Sequence, residues 1–156
     1  MPPSVHAAAA PGRVPSTVLL HPPEPHAASV AWFGPIEHAD RILVLGGPGP
    51  EVMCALLHAG ATNVTHIRAH ERPDADSASL VIVPNVPSLD WLATALPSIR
   101  RALTARGRLV LRRGTRPTTQ TQIRRMLTLN GLSTIRVGSS GDEQIVSAER
   151  PIRDNA

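Results

Sequence analysis

The sequence predicts a three-layer α/β domain whose sheet is mostly parallel, and three observations support this fold class. Short apolar runs alternate with amphipathic stretches at helical spacing between residues 41 and 130. A glycine-rich turn joins the first apolar run to the first helical stretch. A glycine–serine turn separates the last two apolar runs, which predicts an antiparallel hairpin at the end of the sheet. We therefore expect about six strands with helices on both faces.

Residues 41–60, RILVLGGPGPEVMCALLHAG, form the unit around which the other elements are arranged. The run ILVL predicts a strand that is buried on both faces. Gly46, Gly47 and Gly49 can take backbone angles closed to other residues, and they leave room for a ligand. Pro50 suits the first position of the following helix, because its missing N–H costs nothing there. A strand, a glycine turn and a helix in this order predict a nucleotide- or cofactor-binding site with N–H groups directed at the ligand.

The chain after residue 60 supplies the other elements. Ser88 is suited to cap a helix that runs to Gly107, and Pro97 inside this helix predicts a kink or a split. Right-handed crossovers would bring the loop of residues 84–87 beside the glycine turn, at the carboxyl ends of adjacent strands. The remaining apolar patterns predict strands over residues 63–67, 79–84 and 108–112, a helix over 118–130, and strands over 132–137 and 144–148.

Composition divides the chain into three segments. Residues 1–28 are rich in proline and alanine and predict a disordered tail, residues 29–150 the folded domain, and residues 151–156 a short C-terminal tail. No apolar run approaches transmembrane length, so no membrane contact is expected. The N-terminus lacks a secretory pattern, and we therefore expect a cytoplasmic protein.

Four further residues have expected places in the core. Trp32, Phe33 and Ile36 form the first apolar cluster and are expected to cover one edge of the core. Cys54 is the single cysteine, and its apolar neighbours in the first helix predict that it is buried rather than reactive.

The charge of the chain is unevenly distributed. All 16 basic residues are arginine, and no acidic residue occurs between Asp90 and Asp142. A field of one sign over this interval predicts an anionic partner such as RNA or an acidic protein, although a merely solvated basic surface is the alternative. Aromatic residues are too few for a base-stacking platform on single-stranded nucleic acid. The interval contains Arg100, Arg101, Arg106, Arg108, Arg112, Arg113, Arg116, Arg124, Arg125 and Arg136.

Five stretches carry a family pattern: RILVLGGPGPEV, SLVIVPNV, IRRALTARGRLVLR, LTLNGLSTIRV and EQIVSAER. Together they resemble the Rossmann-like class I S-adenosylmethionine-dependent methyltransferases. The resemblance implies that S-adenosylmethionine would lie over the turn, with Gly46, Gly47, Pro48 and Gly49 near its methionine part. It also implies that Asn85 would stand near the reacting centre, where it is a weak catalytic candidate and no other is found.

Three features depart from that family's pattern. Val44 stands where the family usually has an acidic residue, and Pro48 replaces a glycine. Proline lacks an N–H donor and narrows the approach to the turn. The family's second strand commonly ends in an acid that accepts both ribose hydroxyls, and here Glu71 is the candidate substitute. A loop replaces the helix and strand that the family places before SLVIVP, so the sheet is expected to lack one edge strand.

Two hypotheses follow from these departures. The first is a non-catalytic methyltransferase-like domain with an eroded site, which binds S-adenosylmethionine weakly or not at all and serves binding or assembly. The exposed edge of the second strand would then pair with another copy or another protein. The alternative is an active minimal methyltransferase acting on a small molecule or RNA, with Glu71 or a partner chain completing the pocket. His66 and His70 are interpreted as ordinary polar residues, and no metal site is expected.

Overall fold

The computed structural model describes residues 31–114 and 120–152. A short 3₁₀ turn, Ala31–Phe33, precedes the sheet. The predicted tail of residues 1–28 lies outside the described ranges, as do the last four residues of the chain. The regular elements, in chain order, are β1 (Arg41–Leu45), α1 (Gly49–His58), β2 (Asn63–Ile67), β3 (Ala78–Val83), α2 (Leu89–Ala102), β4 (Leu103–Gly114), α3 (Gln120–Leu129), β5 (Ser133–Ser140) and β6 (Glu143–Glu149).

The strands form one six-stranded sheet in the order β2-β1-β3-β4-β6-β5. β1 pairs in parallel with β2 on one side and with β3 on the other, and β3 pairs in parallel with β4. β6 runs antiparallel between β4 and β5. The predicted fold class, a mostly parallel sheet ending in an antiparallel hairpin, is therefore confirmed. β2 is an outer strand, since the described chain from β2 to β3 is a loop that adds no further strand.

Side chains alternate between the two faces of the sheet, as the pleat of a strand requires. Leu43 and Leu45 of β1 face α2 and α3, where they join the larger buried cluster with Leu96 and Ile123. Ile42, Val44 and the corresponding residues of β3 face α1 in a second cluster. Helices therefore cover both faces, which gives the predicted three layers. β1 is buried on both sides because it lies between these two clusters.

The segment before β1 covers part of the α1 face of the sheet. Phe33 is buried, with 2% of its surface exposed, and Trp32 and Ile36 pack partly buried against the same cluster. The predicted packing role of these three side chains is confirmed. They pack in the same cluster as Val110 and Ile145.

Two expectations about helices were wrong. α2 ends at Ala102, not at Gly107, because the chain becomes extended at Leu103 and enters β4. Gly107 instead belongs to an irregular start of β4, where an added Cβ would lie 2.8 Å from the carbonyl oxygen of Thr104. Cys54 is exposed, since α1 buries a single narrow stripe on its other side.

The predicted cap of α2 is confirmed, whereas the effect predicted for Pro97 is not. Ser88 caps α2 as expected, and its hydroxyl oxygen accepts a hydrogen bond from the N–H of Trp91. The split that Pro97 suggested is absent, since α2 continues through this residue, and the kink stays a prediction. None of the helices in the described ranges has both the length and the apolarity needed to span a membrane.

Candidate ligand site at the carboxyl ends of the strands

The glycine turn lies between two loops at the carboxyl end of the sheet. Gly46 and Gly47 have φ angles of 66° and 62°, in the left-handed region that side chains with a Cβ rarely adopt. A Cβ added to Gly46 would lie 3.7 Å from the Cβ of Ala69, in the loop after β2. A Cβ added to Gly47 would lie 3.3 Å from Pro84 and 3.6 Å from the backbone nitrogen of Asn85, after β3. The predicted juxtaposition of the turn and the loop of residues 84–87 is confirmed.

Gly49 is required for another reason. It is buried at the start of α1, and its backbone approaches the imidazole ring of His66 on β2. A Cβ added to Gly49 would lie 2.6 Å from Cε1 of that ring and closer still to Nε2 and Cδ2. Nε2 of His66 is buried without a hydrogen-bond partner. This glycine therefore lets α1 pack closely against β2, and the contact does not depend on a ligand.

Most of the N–H groups in the turn are already used or absent. The N–H of Gly46 donates to the carbonyl oxygen of Ile67 at 3.0 Å, and that of Gly49 donates to Gly47 at 2.8 Å. Pro48 and Pro50 have no N–H to offer. Among the described residues no acceptor is found for the N–H groups of Gly47 and Glu51. These two groups are what remains of the predicted anion-binding turn.

Arg112 of β4 holds the loop that carries Asn85. Its Nε donates to the carbonyl oxygen of Pro84 at 3.0 Å, and its own carbonyl oxygen accepts from the N–H of Val86 at 3.1 Å. The guanidinium also lies 5.0 Å from the centre of the Trp32 ring and 3.6 Å from the Glu143 carboxylate. Asn85 itself is exposed beside the glycine turn. Sequence reasoning missed this support, because the residues involved are far apart along the chain.

A cavity of about 500 Å³ opens between the loop after β2 and helix α2. This volume is in the range of small-molecule sites. Its walls include Leu45 at the end of β1, residues 69–73, and Trp91 on α2. Glu71 lies on this cavity, and its N–H donates to the carbonyl oxygen of Arg68 at 3.0 Å, closing a turn after β2. The lining includes no glycine of the turn and does not include Asn85. The structure thus brings Gly47 and Asn85 together, and places Glu71 on a separate wall.

The arginines between residues 100 and 136 lie on both sides of the sheet. Arg108 donates to the carbonyl oxygen of Pro35 at 2.8 Å on the α1 face, and Arg136 lines a small cavity on that face. Arg124 and Arg125 are exposed on α3, which covers the opposite face. Arg116 lies outside the described residues. The predicted anionic partner stays a prediction, and the charges that would hold it are divided between two surfaces.

Within residues 31–114 and 120–152, no three histidine, cysteine or acidic side chains are grouped so that they could hold a metal ion. His66 is packed against Gly49, and His70 lies on the cavity with Glu71.

The sequence matches no protein-family model and no curated protein. The fold, in contrast, is similar to solved methyltransferase structures. An S-adenosylmethionine-dependent methyltransferase from Mesorhizobium loti has a TM-score of 0.63 and 15% identity, over 78% of this chain and 96% of the other. A putative methyltransferase from Bacillus halodurans has a TM-score of 0.62 and 12% identity, over 80% and 98% of the two chains.

A larger similar structure is phosphoethanolamine N-methyltransferase 2 from Haemonchus contortus, solved with S-adenosylhomocysteine. Its TM-score is 0.61 at 14% identity, over 77% of this chain. The chain spans about half the length of that enzyme, since the match covers 51% of it. At this level of identity the similarity establishes the fold. The chain has the Rossmann-like fold of the class I S-adenosylmethionine-dependent methyltransferases.

Proposed function

We propose that the chain is a methyltransferase-like domain that serves binding or assembly and transfers no methyl group. The observation that carries this proposal is that the fold itself accounts for all three glycines of the turn. Gly46 and Gly47 are needed for their φ angles, and Gly49 is needed because His66 occupies the space of a side chain. Because the fold needs these glycines whether or not a ligand is bound, their presence does not indicate a cofactor site.

The small number of free backbone N–H groups in the turn supports the same proposal. The N–H groups of Gly46 and Gly49 donate within the protein, and two prolines contribute none. Each missing hydrogen bond to a bound ligand costs about 1–3 kcal/mol. Two such losses weaken binding by roughly 30-fold to 10⁴-fold, because 1.4 kcal/mol corresponds to a factor of ten. We therefore infer that S-adenosylmethionine binds in the millimolar range or not at all.

One observation favours the alternative, an active minimal methyltransferase. Glu71 lies on a cavity of about 500 Å³ together with Leu45 and Trp91. A carboxylate there has the two acceptor oxygens needed to hold the hydroxyl pair of a ribose. The solved Haemonchus contortus enzyme contains S-adenosylhomocysteine, and human N-acetylserotonin methyltransferase was solved with S-adenosylmethionine. We rank this candidate second, because the cavity wall includes no N–H of the glycine turn.

Isothermal titration calorimetry with S-adenosylmethionine and S-adenosylhomocysteine separates the two candidates. We expect no saturable heat below about millimolar ligand. A dissociation constant of tens of micromolar or tighter would refute the proposed function. In that case Glu71→Gln should weaken binding, whereas the matched change Glu37→Gln, at an exposed position in the segment before β1, should not. The pair of variants then shows whether the cavity of Glu71 is the site.

An assembly role is supported by the exposed edge of the sheet. Among the described residues β2 pairs on one side only, with β1, and its sequence contains neither proline nor lysine to discourage pairing. A second copy of the chain, or another protein, is the proposed occupant of this edge. Light scattering over a concentration series should reveal a species larger than the monomer. A monomer at all concentrations would remove the second copy from the proposal.

Binding of an anionic partner is supported only by charge. Arg124 and Arg125 are exposed neighbours on α3, so they are the natural pair to change. Their replacement by glutamine should reduce salt-dependent retention on RNA or heparin. Unchanged retention would remove α3 from the proposed surface.

A further inference from the structure

We propose that the cavity beside Glu71 continues into an anion subsite formed by Arg72 and Arg101, and that its ligand is a mononucleotide. This inference rests on the proposed function only in treating the domain as one that serves binding without methyl transfer. It goes further by naming the ligand of a domain that does not use S-adenosylmethionine. It also assigns a role to Arg72 and Arg101, which take no part in the glycine turn or in the loop of residues 84–87.

Helix α2 presents one continuous stripe to this space. Trp91, Thr94, Ser98 and Arg101 follow one another at intervals of three, four and three residues, which places them on one side of a helix. From Trp91 to Arg101 the helix rises about 15 Å. The opposite wall is the loop after β2, which includes Arg72. The stripe therefore changes from aromatic to hydroxylic to cationic along one groove.

Two adjoining cavities occupy this groove. The cavity of about 500 Å³ contains Glu71 and Trp91, and a second of about 330 Å³ contains Arg101. The second is lined by Arg72, Pro73, Thr94, Pro97, Ser98 and Arg101, and four of these six also line the first. Because the cavities share most of a wall, a single ligand can extend from one into the other.

Both arginines of the second cavity are exposed. Within the described part of the chain, neither Arg72 nor Arg101 donates a side-chain hydrogen bond or forms an ion pair. Arg112 and Arg150, in contrast, are held by carbonyl oxygens and by acidic side chains. Two guanidinium groups on one pocket supply the positive charge that a phosphate needs, and arginine can bind a phosphate with two parallel hydrogen bonds.

The end of α2 does not oppose an anion at this point. The last carbonyl oxygens of a helix carry partial negative charge, which disfavours an anion nearby. Here the carbonyl oxygens of Arg100 and Leu103 accept from the Arg150 guanidinium, and that of Arg101 accepts from the N–H of Asp76 at 2.9 Å. These donors offset the negative end of the helix. Glu71 lines the first cavity but not the second, so it does not face the phosphate position.

The rest of the groove fits the remainder of a nucleotide. Trp91 is partly exposed on the larger cavity and offers one ring for one base. The Glu71 carboxylate on the same cavity can accept hydrogen bonds from the ribose hydroxyls. Trp32 and Phe33, which could stack further bases, pack in the cluster on the opposite face of the sheet. A single base with its phosphate therefore fits better than a longer single strand.

The test is a calorimetric comparison of adenosine 5′-monophosphate with adenosine on the full chain. We expect the monophosphate to bind about tenfold or more tighter than adenosine, since the phosphate adds charge-assisted hydrogen bonds. Arg72→Gln and Arg101→Gln should each remove most of this difference and leave the affinity for adenosine unchanged. Arg136→Gln, which makes the same change of charge at an exposed residue on the α1 face of the sheet, should have no effect. Both Arg72 and Arg101 are exposed, so the variants should fold normally, and thermal melting checks this.

Three outcomes would overturn the inference. The first is equal binding of the two ligands, or no binding of either. The second is an equal loss of affinity in Arg136→Gln. The third is a short single-stranded RNA that binds more than about tenfold tighter than the mononucleotide. A tight complex with S-adenosylmethionine would instead refute the proposed function. The ratio of monophosphate to adenosine affinity would still report on Arg72 and Arg101, so the two failures are distinguishable.

Discussion

Replacing Gly49 by alanine should destabilise the fold through a steric cost of about 2 kcal/mol, since a methyl group added to a packed interior typically costs about 1–3 kcal/mol. The added Cβ would lie 2.6 Å from Cε1 of His66, about 1 Å inside the optimum for carbon contacts. His66 is partly buried and its Nε2 is enclosed between β2 and α1, so the ring has little room to move away from an added methyl group. The nearest atoms belong to a rigid ring rather than to the end of a flexible chain.

The stabilising effect that alanine has through the unfolded chain is smaller than this steric cost. Alanine restricts the unfolded chain more than glycine does, which stabilises a compatible site by about 0.4–1 kcal/mol. Gly49 does not have a positive φ, so its backbone alone would accept alanine. The steric term exceeds this gain, and a net loss of roughly 1–1.5 kcal/mol should lower the melting temperature by roughly 3–8 °C.

Urea unfolding followed by circular dichroism would measure the loss. The matched control is Gly138→Ala, where an added Cβ meets nothing within 4 Å and φ is not positive. His66→Ala should itself cost stability, but in that background Gly49→Ala should become neutral or slightly stabilising, because the ring is gone. If Gly49→Ala costs the same in both backgrounds, the contact with His66 is not the reason for the glycine. The claim that the fold accounts for the whole turn would then fail.

Further predictions concern the cap of α2 and the support of the loop. Ser88→Ala should cost about 1 kcal/mol, measured by urea unfolding, because the N–H of Trp91 loses its acceptor; an unchanged midpoint would contradict this. Arg112→Ala should cost about 1–3 kcal/mol, since the partly buried carbonyl oxygen of Pro84 loses its donor. Glu143→Ala should cost less than about 0.5 kcal/mol, because its ion pair with Arg112 is half exposed. An equal cost for the last two variants would assign the effect to the ion pair instead.

The local pattern of apolar residues along the sequence was sufficient to predict the strands and helices of the fold. The runs ILVL and SLVIV are apolar without interruption, which indicated strands buried on both faces, and both became inner strands of the sheet. Ser88 was recognisable as a cap because capping depends on residues three apart in the chain. The reading of Gly107 as a helix end was wrong for the same local reason. A glycine at a strand irregularity and one at a helix end look alike until the pairing of β3 with β4 is known.

The site could be predicted only in part. The adjacency of Gly47 and the loop of Asn85 followed from topology, because parallel strands end at the same edge of a sheet. The neighbour of Gly49 could not be predicted, since His66 reaches it across the pairing of β1 with β2. The same holds for Arg112, whose contact with Pro84 joins residues 28 positions apart.

The order of residues by itself thus determined which stretches became strands and helices, and on which side of the sheet each loop ends. These depend on spacing along the chain, and hydrophobic burial enforces them. Only the tertiary structure decided why Gly49 is a glycine, which arginines have protein partners, and that Arg72 and Arg101 line the same cavity. Those facts depend on distances between segments that the sequence does not encode as a pattern, because side-chain contacts arise only once the layers have packed.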